Sequence, residues 1–144
     1  FSIALQTRAG MYLLRDKFGL RPLGYIRNDE SVTIASENWG IRGDFINVVP
    51  GELLFVGNDC SIRTICRIPN NVAHCVFEYI YFLKGSSTVD SINANNFRKS
   101  LGKILGEQLI EKTPSLVDNW QNNRAVICGV PTSGVYFGKS ISEG

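Results

Sequence analysis

The residues best suited to chemistry lie in one short stretch, residues 74–82, which reads HCVFEYIYF. It holds the only histidine of the chain, one of its four cysteines and four aromatic residues. An imidazole beside a thiol can serve nucleophilic catalysis or bind a metal ion, whereas dense aromatic residues favour burial. The stretch is therefore a catalytic cluster, a metal-binding corner or a buried strand.

The cysteines give little support to a metal site built from neighbouring thiols. They are Cys60, Cys66, Cys75 and Cys128. Their spacing contains no Cys-x-x-Cys pair and so indicates neither a zinc knuckle nor a dense disulfide framework. Free cysteine packs as a small apolar side chain, and we expect buried thiols.

A second group of charged residues lies in the segment RDKFGLRPLGY. Gly19 and Pro22 predict a tight corner between two strands. Arg15, Asp16 and Arg21 are expected to form a fixed charge network beneath that corner. Taken alone, a salt-bridged turn is the simplest interpretation of this segment.

Composition limits the class of protein. The 144 residues are 44% hydrophobic, and the net charge of +2 comes from 15 Lys and Arg scattered among 13 Asp and Glu. The sequence has no basic patch of the kind that binds nucleic acid. No apolar run approaches the roughly 18 residues that span a bilayer. We expect a soluble, cytoplasmic protein with neither nucleic acid nor membrane as a partner.

Short apolar runs separated by turn residues fill the first half and predict antiparallel strands. The expected strand pairs are 2–5 with 11–14, 23–27 with 32–35, and 52–56 with 61–66. Residues 36–46 contain two glycines and fit a loop better than a helix. The polar, proline-bearing residues 67–74 indicate a domain boundary.

Helical spacing begins after that boundary. Apolar residues recur every three or four positions at Phe97, Leu101, Ile104, Leu105 and Leu109, which predicts one face of a helix. Asn93 or Asn95 is the expected N-cap. Residues 125–130 are typical of a buried strand in a parallel α/β sheet, followed by a turn of small residues and a further helix.

The apolar residues of 76–82 favour a strand that is buried on both faces. Phe77, Tyr79 and Tyr81 would lie on one face, opposite Val76, Ile80 and Phe82. The exception is Glu78, whose carboxylate we expect to be paired or hydrated. His74 is expected to be a surface or linker residue.

Several motifs occur in one order along the first half: RDxFGxRPL from Arg15, ASE from Ala35 and PGE from Pro50. This series resembles the glutaminase domain of class II glutamine amidotransferases, which are N-terminal-nucleophile hydrolases with a four-layer αββα fold. Asparagine synthetases have a similar corner, so these motifs alone do not choose between the two families.

The second half carries a more specific resemblance. CxFEYxYF from Cys75 resembles the junction between the glutaminase and phosphoribosyltransferase domains of amidophosphoribosyltransferases. RxxxGxxL from Arg98 and VPTSG from Val130 are similar to a helix and to the VPDSG turn of that family. The resemblance implies that residues 1–74 are the C-terminal part of the glutaminase domain and that residues 75–144 begin a type I phosphoribosyltransferase α/β domain.

The family takes ammonia from glutamine at an N-terminal cysteine and passes it to phosphoribosyl pyrophosphate, forming 5-phosphoribosylamine in purine synthesis. The resemblance therefore implies glutamine and phosphoribosyl pyrophosphate as substrates, Mg as a cofactor and a homo-oligomer. The nucleophile would precede Phe1, and the acidic loop that binds the ribose phosphate would follow Gly144. We expect an internal segment of such an enzyme, with no catalytic residue of its own and inactive alone.

The resemblance also implies two site residues. Ser133 matches the serine of VPDSG, which is associated with Mg, and a serine hydroxyl is a suitable Mg ligand. The alternative is a serine that caps the next helix, and the two roles can coexist. Cys75 matches the first of four cysteines that hold a [4Fe-4S] cluster in some members. A buried thiol is the alternative there.

The chain departs from the family pattern at Lys17, where proline is usual, and at Thr132, where aspartate is usual. Residues 83–87 read LKGSS in place of ARPDS, which indicates a loosened loop. These departures leave open a non-catalytic structural or regulatory subunit that keeps the fold. An asparagine-synthetase relative is a third interpretation, which explains the corner but not residues 75–82 or 130–134.

Overall fold

The computed structural model describes residues 1–122, 124 and 126–143. Its first half consists of β1 (Ser2–Thr7), β2 (Gly10–Arg15), β3 (Gly24–Arg27), β4 (Val32–Ala35), β5 (Ile46–Asn47), β6 (Glu52–Gly57) and β7 (Ile62–Arg67). A π-helical turn, Glu78–Phe82, then precedes β8 (Thr88–Val89), β9 (Ile92–Asn93), α1 (Ala94–Lys112), α2 (Pro114–Gln121) and α3 (Gly134–Glu143). The expected change from strands to helices is confirmed.

Two antiparallel sheets pack together in the first half. One has the strand order β1-β2-β6-β7 and the other β4-β3-β5. Their facing side chains share one buried core, formed by Leu13, Leu23, Val48, Leu54 and Val56. All three expected strand pairs form, with a β-bulge between Leu53 and Leu54 in the third. Residues 36–45 form turns and loop, as expected, before the two-residue strand β5.

The strands β8 and β9 form a small hairpin that was not predicted from the sequence. Its turn consists of Asp90 and Ser91, with φ angles of 48° and 68°. Two consecutive residues with positive φ are typical of a two-residue hairpin turn, and aspartate tolerates that conformation better than most residues. The turn places the carboxylate of Asp90 against the first half of the chain.

The strand expected at residues 76–82 is wrong, because this segment is helical. The helical turn buries Glu78 and Tyr79, and it leaves Tyr81 67% exposed. Arg98 of α1 donates hydrogen bonds to the carbonyls of Tyr79 (2.8 Å) and Leu83 (2.6 Å) at the end of the turn. A run of apolar residues without periodicity is compatible with either a strand or a helix. Here the hydrogen bonds from the buried Arg98 guanidinium favour the helix.

Helix α1 and its cap are confirmed, since the side chain of Asn93 accepts a hydrogen bond from the amide of Asn96 at 3.1 Å. The buried face differs from the expected one. It consists of Ala94, Arg98, Gly102 and Gly106, whereas Ile104 is 50% exposed. The glycines let α3 approach closely, because a Cβ on Gly102 would lie 2.8 Å from the carbonyl oxygen of Phe137.

The strand expected at residues 125–130 is not formed in the part that the structure describes. Ala125 lies outside the described residues, and residues 126–130 have no strand pairing. Val126 and Val130 are 88% and 77% exposed. A parallel strand needs a neighbour for its backbone bonds, and among the described strands none pairs with this segment.

Candidate functional site

The charged corner of the first half contacts the second half directly. Arg15, 1% exposed, donates two hydrogen bonds to the carboxylate of Asp90, at 2.9 and 2.7 Å. It also donates to the carbonyls of Gly19, Arg21 and Val48. The expected charge network among Arg15, Asp16 and Arg21 is therefore wrong in its partners, because the buried arginine pairs with a residue of the other half. Asp16 instead accepts the backbone amides of Phe18 and Leu20.

A second ion pair joins the halves beside the first. Arg21 pairs with Glu78, which confirms the expectation that the Glu78 carboxylate is partnered. Burial raises the pKa of Glu78, and the positive charge of Arg21 opposes that rise. The pair therefore holds the helical turn against the corner while leaving the carboxylate partly desolvated.

His74 lies in the segment between β7 and the helical turn, as expected of a linker residue, but it is partly buried against this contact rather than at the surface. Its Nε2 lies 3.0 Å from Oδ2 of Asp90, and its ring centroid lies 5.8 Å from that of Tyr79. Tyr79 is buried, and burial, together with the Asp90 charge, raises its pKa to about 12. We call His74, Arg15, Asp90, Arg21 and Glu78 the junction network, because contacts among these polar side chains connect the two halves.

Cys75 is half-buried next to the junction network. It lines a narrow cavity of about 10 Å³ whose wall contains no other cysteine. Among the described residues no group of three or more His, Cys, Asp or Glu is placed to hold a metal ion. A [4Fe-4S] cluster takes four cysteines, so the described residues do not form such a site. Cluster ligation by Cys75 stays a prediction that requires cysteines from elsewhere.

A larger cavity, of about 550 Å³, lies at Ser133, and we call it the Ser133 cavity. Its wall is built from three segments: the loop after β4, residues 81–86 with the start of α1, and the turn that leads into α3. The polar and aromatic residues that it presents are Trp39, Tyr81, Lys84, Ser86, Asn95, Arg98, Thr132, Ser133 and Tyr136. The cavity thus combines residues from both halves of the chain.

The chemistry of the Ser133 cavity suits an anion. Lys84 places its ammonium 5.4 Å from the ring centroid of Trp39, and the guanidinium of Arg98 lies 5.9 Å from that of Tyr136. Burial lowers the pKa of Arg98, although a guanidinium stays charged at neutral pH. Among the described residues, the lining has hydroxyl groups and a helix N-terminus but no carboxylate. These groups together favour a phosphate or pyrophosphate.

The same lining tests the expected Mg site. Ser133, Thr132 and Asn95 supply oxygen atoms, but a protein site for Mg²⁺ ordinarily includes a carboxylate. The residues therefore fit an Mg²⁺ ion that arrives with pyrophosphate oxygens better than a bare ion. The role of Ser133 as an Mg ligand stays a prediction.

The loop at residues 83–87 is held in place, which corrects the expectation of a loosened loop. Ser87 is fully buried, at 0% exposure. Oε2 of Glu37 accepts hydrogen bonds from the amide of Lys84 at 2.8 Å and from the hydroxyl of Ser87 at 2.7 Å. The replaced Pro and Asp of the family pattern therefore do not leave this wall of the cavity without support.

No protein-family profile matches the chain. Searches of curated proteins and of solved structures both find amidophosphoribosyltransferases. The amidophosphoribosyltransferase of Escherichia coli (strain K12) is 32% identical over 124 residues, or 79% of the chain. That of Methanocaldococcus jannaschii is 27% identical over 99% of the chain. A solved structure of the glutamine phosphoribosylpyrophosphate amidotransferase from B. subtilis superposes on 99% of the chain with a TM-score of 0.76 and 27% identity. The chain is a relative of the amidophosphoribosyltransferases.

The likeness to amidophosphoribosyltransferases covers the chain but only part of the relatives. The chain spans 25% and 32% of the two curated proteins and 30% of the solved chain. Both the junction network and the Ser133 cavity lie within the matched part. The mixed α and β architecture of the chain is that of its structural neighbours.

Some residues that form or support these two sites were given no role in the sequence analysis. Asp90, Glu37 and Trp39 act through contacts with residues far away in the chain, and such contacts leave no local pattern. For Asp90 a signal did exist, because Val-Asp-Ser-Ile from Val89 places two turn residues between β-branched ones.

None of the helices in the described part of the chain is long and apolar enough to cross a bilayer. The cytoplasmic location stays a prediction.

Proposed function

We propose that the chain is one part of an amidophosphoribosyltransferase, which forms 5-phosphoribosylamine from glutamine and phosphoribosyl pyrophosphate. The observation that carries the proposal is the Ser133 cavity, where the VPTSG turn, Lys84 and Arg98 face one space. In this proposal residues 1–74 are the C-terminal part of the glutaminase domain, and their two packed sheets correspond to the central β layers of an αββα fold. Residues 75–144 begin the phosphoribosyltransferase domain.

Each group of the Ser133 cavity has a role in this proposal. Ser133 and the first amides of α3 bind the pyrophosphate, because a helix N-terminus offers free N–H donors to an anion. Lys84 adds a positive charge to the lining of the cavity. Mg²⁺, when bound with the substrate, neutralises charge on the pyrophosphate leaving group. Arg98 supports the wall through its bonds to the carbonyls of Tyr79 and Leu83.

The glutamine side of the reaction is assigned to no residue of this chain. In the proposal the cysteine that releases ammonia is supplied by another part of the whole protein, and the chain alone catalyses neither half-reaction. The junction network then lies where the two domains meet. A homo-oligomeric whole protein is part of the same proposal, whereas an iron-sulfur cluster is not.

One observation favours a second candidate, a non-catalytic subunit that keeps the fold. Thr132 stands where the family has aspartate, and no carboxylate is found among the described residues that line the cavity. Such a subunit would retain the architecture without binding the substrate. The asparagine-synthetase interpretation is weaker, because the likeness to amidophosphoribosyltransferase structures extends over 97% and 99% of the chain.

Substrate binding separates the two candidates. The chain has two tryptophans, so the Trp120→Phe variant leaves Trp39, in the cavity wall, as the only one. We expect phosphoribosyl pyrophosphate with Mg²⁺ to change the emission of Trp39 in a saturable way, and Mg²⁺ alone to leave it unchanged. Ser133→Ala should weaken binding about tenfold, the effect of one hydrogen bond to a charged group.

The matched control is Ser100→Ala, which removes an exposed hydroxyl of α1 outside the cavity. This variant should bind as tightly as the unchanged protein. Absence of any Trp39 response to phosphoribosyl pyrophosphate would reject the Ser133 cavity as the pyrophosphate-binding site and favour the non-catalytic subunit.

A further inference from the structure

We infer that Glu37 is a positioning residue of the Ser133 cavity, because its carboxylate holds the turn of residues 84–87, whose first three residues form a wall of the cavity. Glu37 does not itself line the cavity. The inference rests on the proposed function only for the identity of the ligand. The position of the wall is a property of the chain whatever binds there.

The contact between Glu37 and this wall is specific. One carboxylate oxygen, Oε2, accepts both the backbone amide of Lys84 and the hydroxyl of Ser87. These two donors are the ends of a turn that the Ser87 amide closes onto the Lys84 carbonyl at 2.9 Å. An ionised acceptor makes stronger hydrogen bonds than a neutral one. Glu37 therefore holds the turn at both ends with a single atom.

The next residue continues the same attachment. Oδ1 of Asn38 accepts the amide of Thr88 at 2.9 Å. From the opposite side, the amide of Asn95 in α1 donates to the carbonyl of Gly85 at 2.9 Å. The wall is thus held between the loop after β4, which comes from the first half, and α1, which comes from the second. Glu37 supplies the charged part of the first-half attachment.

Loss of the Glu37 carboxylate should change the position of the turn at residues 84–87. Ser87 is fully buried, so its hydroxyl would have no acceptor unless the turn moved. Lys84 would move with the turn, and its ammonium would leave its place over the Trp39 ring. The first half of the chain thereby controls how the cavity presents a positive charge to its ligand.

The geometry predicts that two substitutions of Glu37 will have effects of different size. Because both donors use one oxygen, the amide oxygen of Glu37→Gln can accept both bonds without the charge. Glu37→Leu keeps the size of the side chain and removes both acceptors. Asp59→Leu is a matched control, since one oxygen of Asp59 also accepts the backbone amide and hydroxyl of a serine, Ser61, but outside the lining of the Ser133 cavity.

Two measurements on the full 144-residue chain test the inference. Amide hydrogen exchange should be faster at Lys84 in Glu37→Leu by about tenfold or more, nearly unchanged in Glu37→Gln, and unchanged in Asp59→Leu. In the Trp120→Phe background, Glu37→Leu should bind phosphoribosyl pyrophosphate with Mg²⁺ about tenfold more weakly, and Glu37→Gln should recover most of that loss.

The outcomes separate the inference from the proposed function. Unchanged Lys84 exchange in Glu37→Leu would overturn the inference, even if the unchanged chain bound phosphoribosyl pyrophosphate well. Accelerated exchange in a chain that binds no phosphoribosyl pyrophosphate would support the positioning role and reject the proposed substrate. An equal loss of protection in Glu37→Leu and Asp59→Leu would indicate general destabilisation and would count against the inference.

Discussion

Arg15 and Asp90 lie 75 residues apart in the sequence and form an ion pair with two hydrogen bonds, of 2.9 and 2.7 Å. The arginine is 1% exposed, and its remaining donors contact backbone carbonyls. Each nitrogen of this side chain therefore donates hydrogen bonds inside the protein. Because Arg15 is buried, loss of its partner would leave an uncompensated charge inside the protein, which costs more than the loss of a surface ion pair.

Removal of the Asp90 carboxylate should destabilise the whole chain. Asp90→Ala leaves the Arg15 guanidinium buried without a counter-charge, which costs about 3 kcal/mol of unfolding free energy. Asp90→Asn, which keeps one acceptor oxygen and tolerates the positive φ of the turn, should cost less. Urea unfolding measures both. A loss below about 1 kcal/mol in Asp90→Ala would contradict a structural role for the pair.

Glu78 should make stability depend on pH in the direction opposite to an ordinary salt-bridged carboxylate. Burial raises its pKa above the ordinary value of 4.5, so the folded chain binds this proton more tightly than the unfolded chain. The stabilisation is present below the ordinary value and is lost as pH rises through the raised value. Compared with Glu78→Gln, the unchanged chain should lose stability as pH rises above that ordinary value.

Urea unfolding of the two proteins across that pH range measures the effect. If the unchanged chain instead gained stability relative to Glu78→Gln as pH rose, then Arg21 would outweigh the burial of the carboxylate.

The contact between α1 and α3 should distinguish two glycines of one helix. A Cβ on Gly102 would lie 2.8 Å from the Phe137 carbonyl oxygen, so Gly102→Ala should destabilise the chain by about 1 to 3 kcal/mol. On Gly106 the nearest atoms would be at 3.4 Å, an ordinary contact. Gly106→Ala should therefore be neutral or stabilise by about 0.5 kcal/mol through helix propensity.

Thermal or urea unfolding of the two variants compares them directly. Equal effects of Gly102→Ala and Gly106→Ala would show that α3 does not approach α1 as closely at Gly102 as the structure has it.

The sequence predicted the strand pairs of the first half because their turn residues and alternation are local signals. It also predicted α1 and its Asn93 cap. Residues 76–82 were assigned to a strand because their apolar side chains show no period, and the helix depends on Arg98, which is distant in sequence. The buried face of α1 was misplaced for a related reason. Glycine carries no hydrophobic signal, yet Gly102 and Gly106 are what α3 packs against.

The candidate site was predicted in parts. Ser133 was identified from the VPTSG turn, and it does line a cavity. Its partners in that cavity could not be identified, because Trp39, Lys84 and Arg98 come together only through the junction between the halves. Glu37 belongs to the ASE motif, which gave it no predicted contact. Its hydrogen bonds to Lys84 and Ser87 span about 50 residues and depend on tertiary structure.

The most direct test of the proposed substrate site is a titration of the ¹⁵N-labelled chain with phosphoribosyl pyrophosphate and Mg²⁺, followed by amide NMR. Binding in the Ser133 cavity predicts saturable shifts at the amides of Ser133, Gly134 and Lys84. Amides of the β6–β7 turn, such as Asp59, should not shift, and Mg²⁺ alone should shift none of these. Saturable binding that left Ser133 and Gly134 unmoved, or no binding at all, would contradict the proposed site.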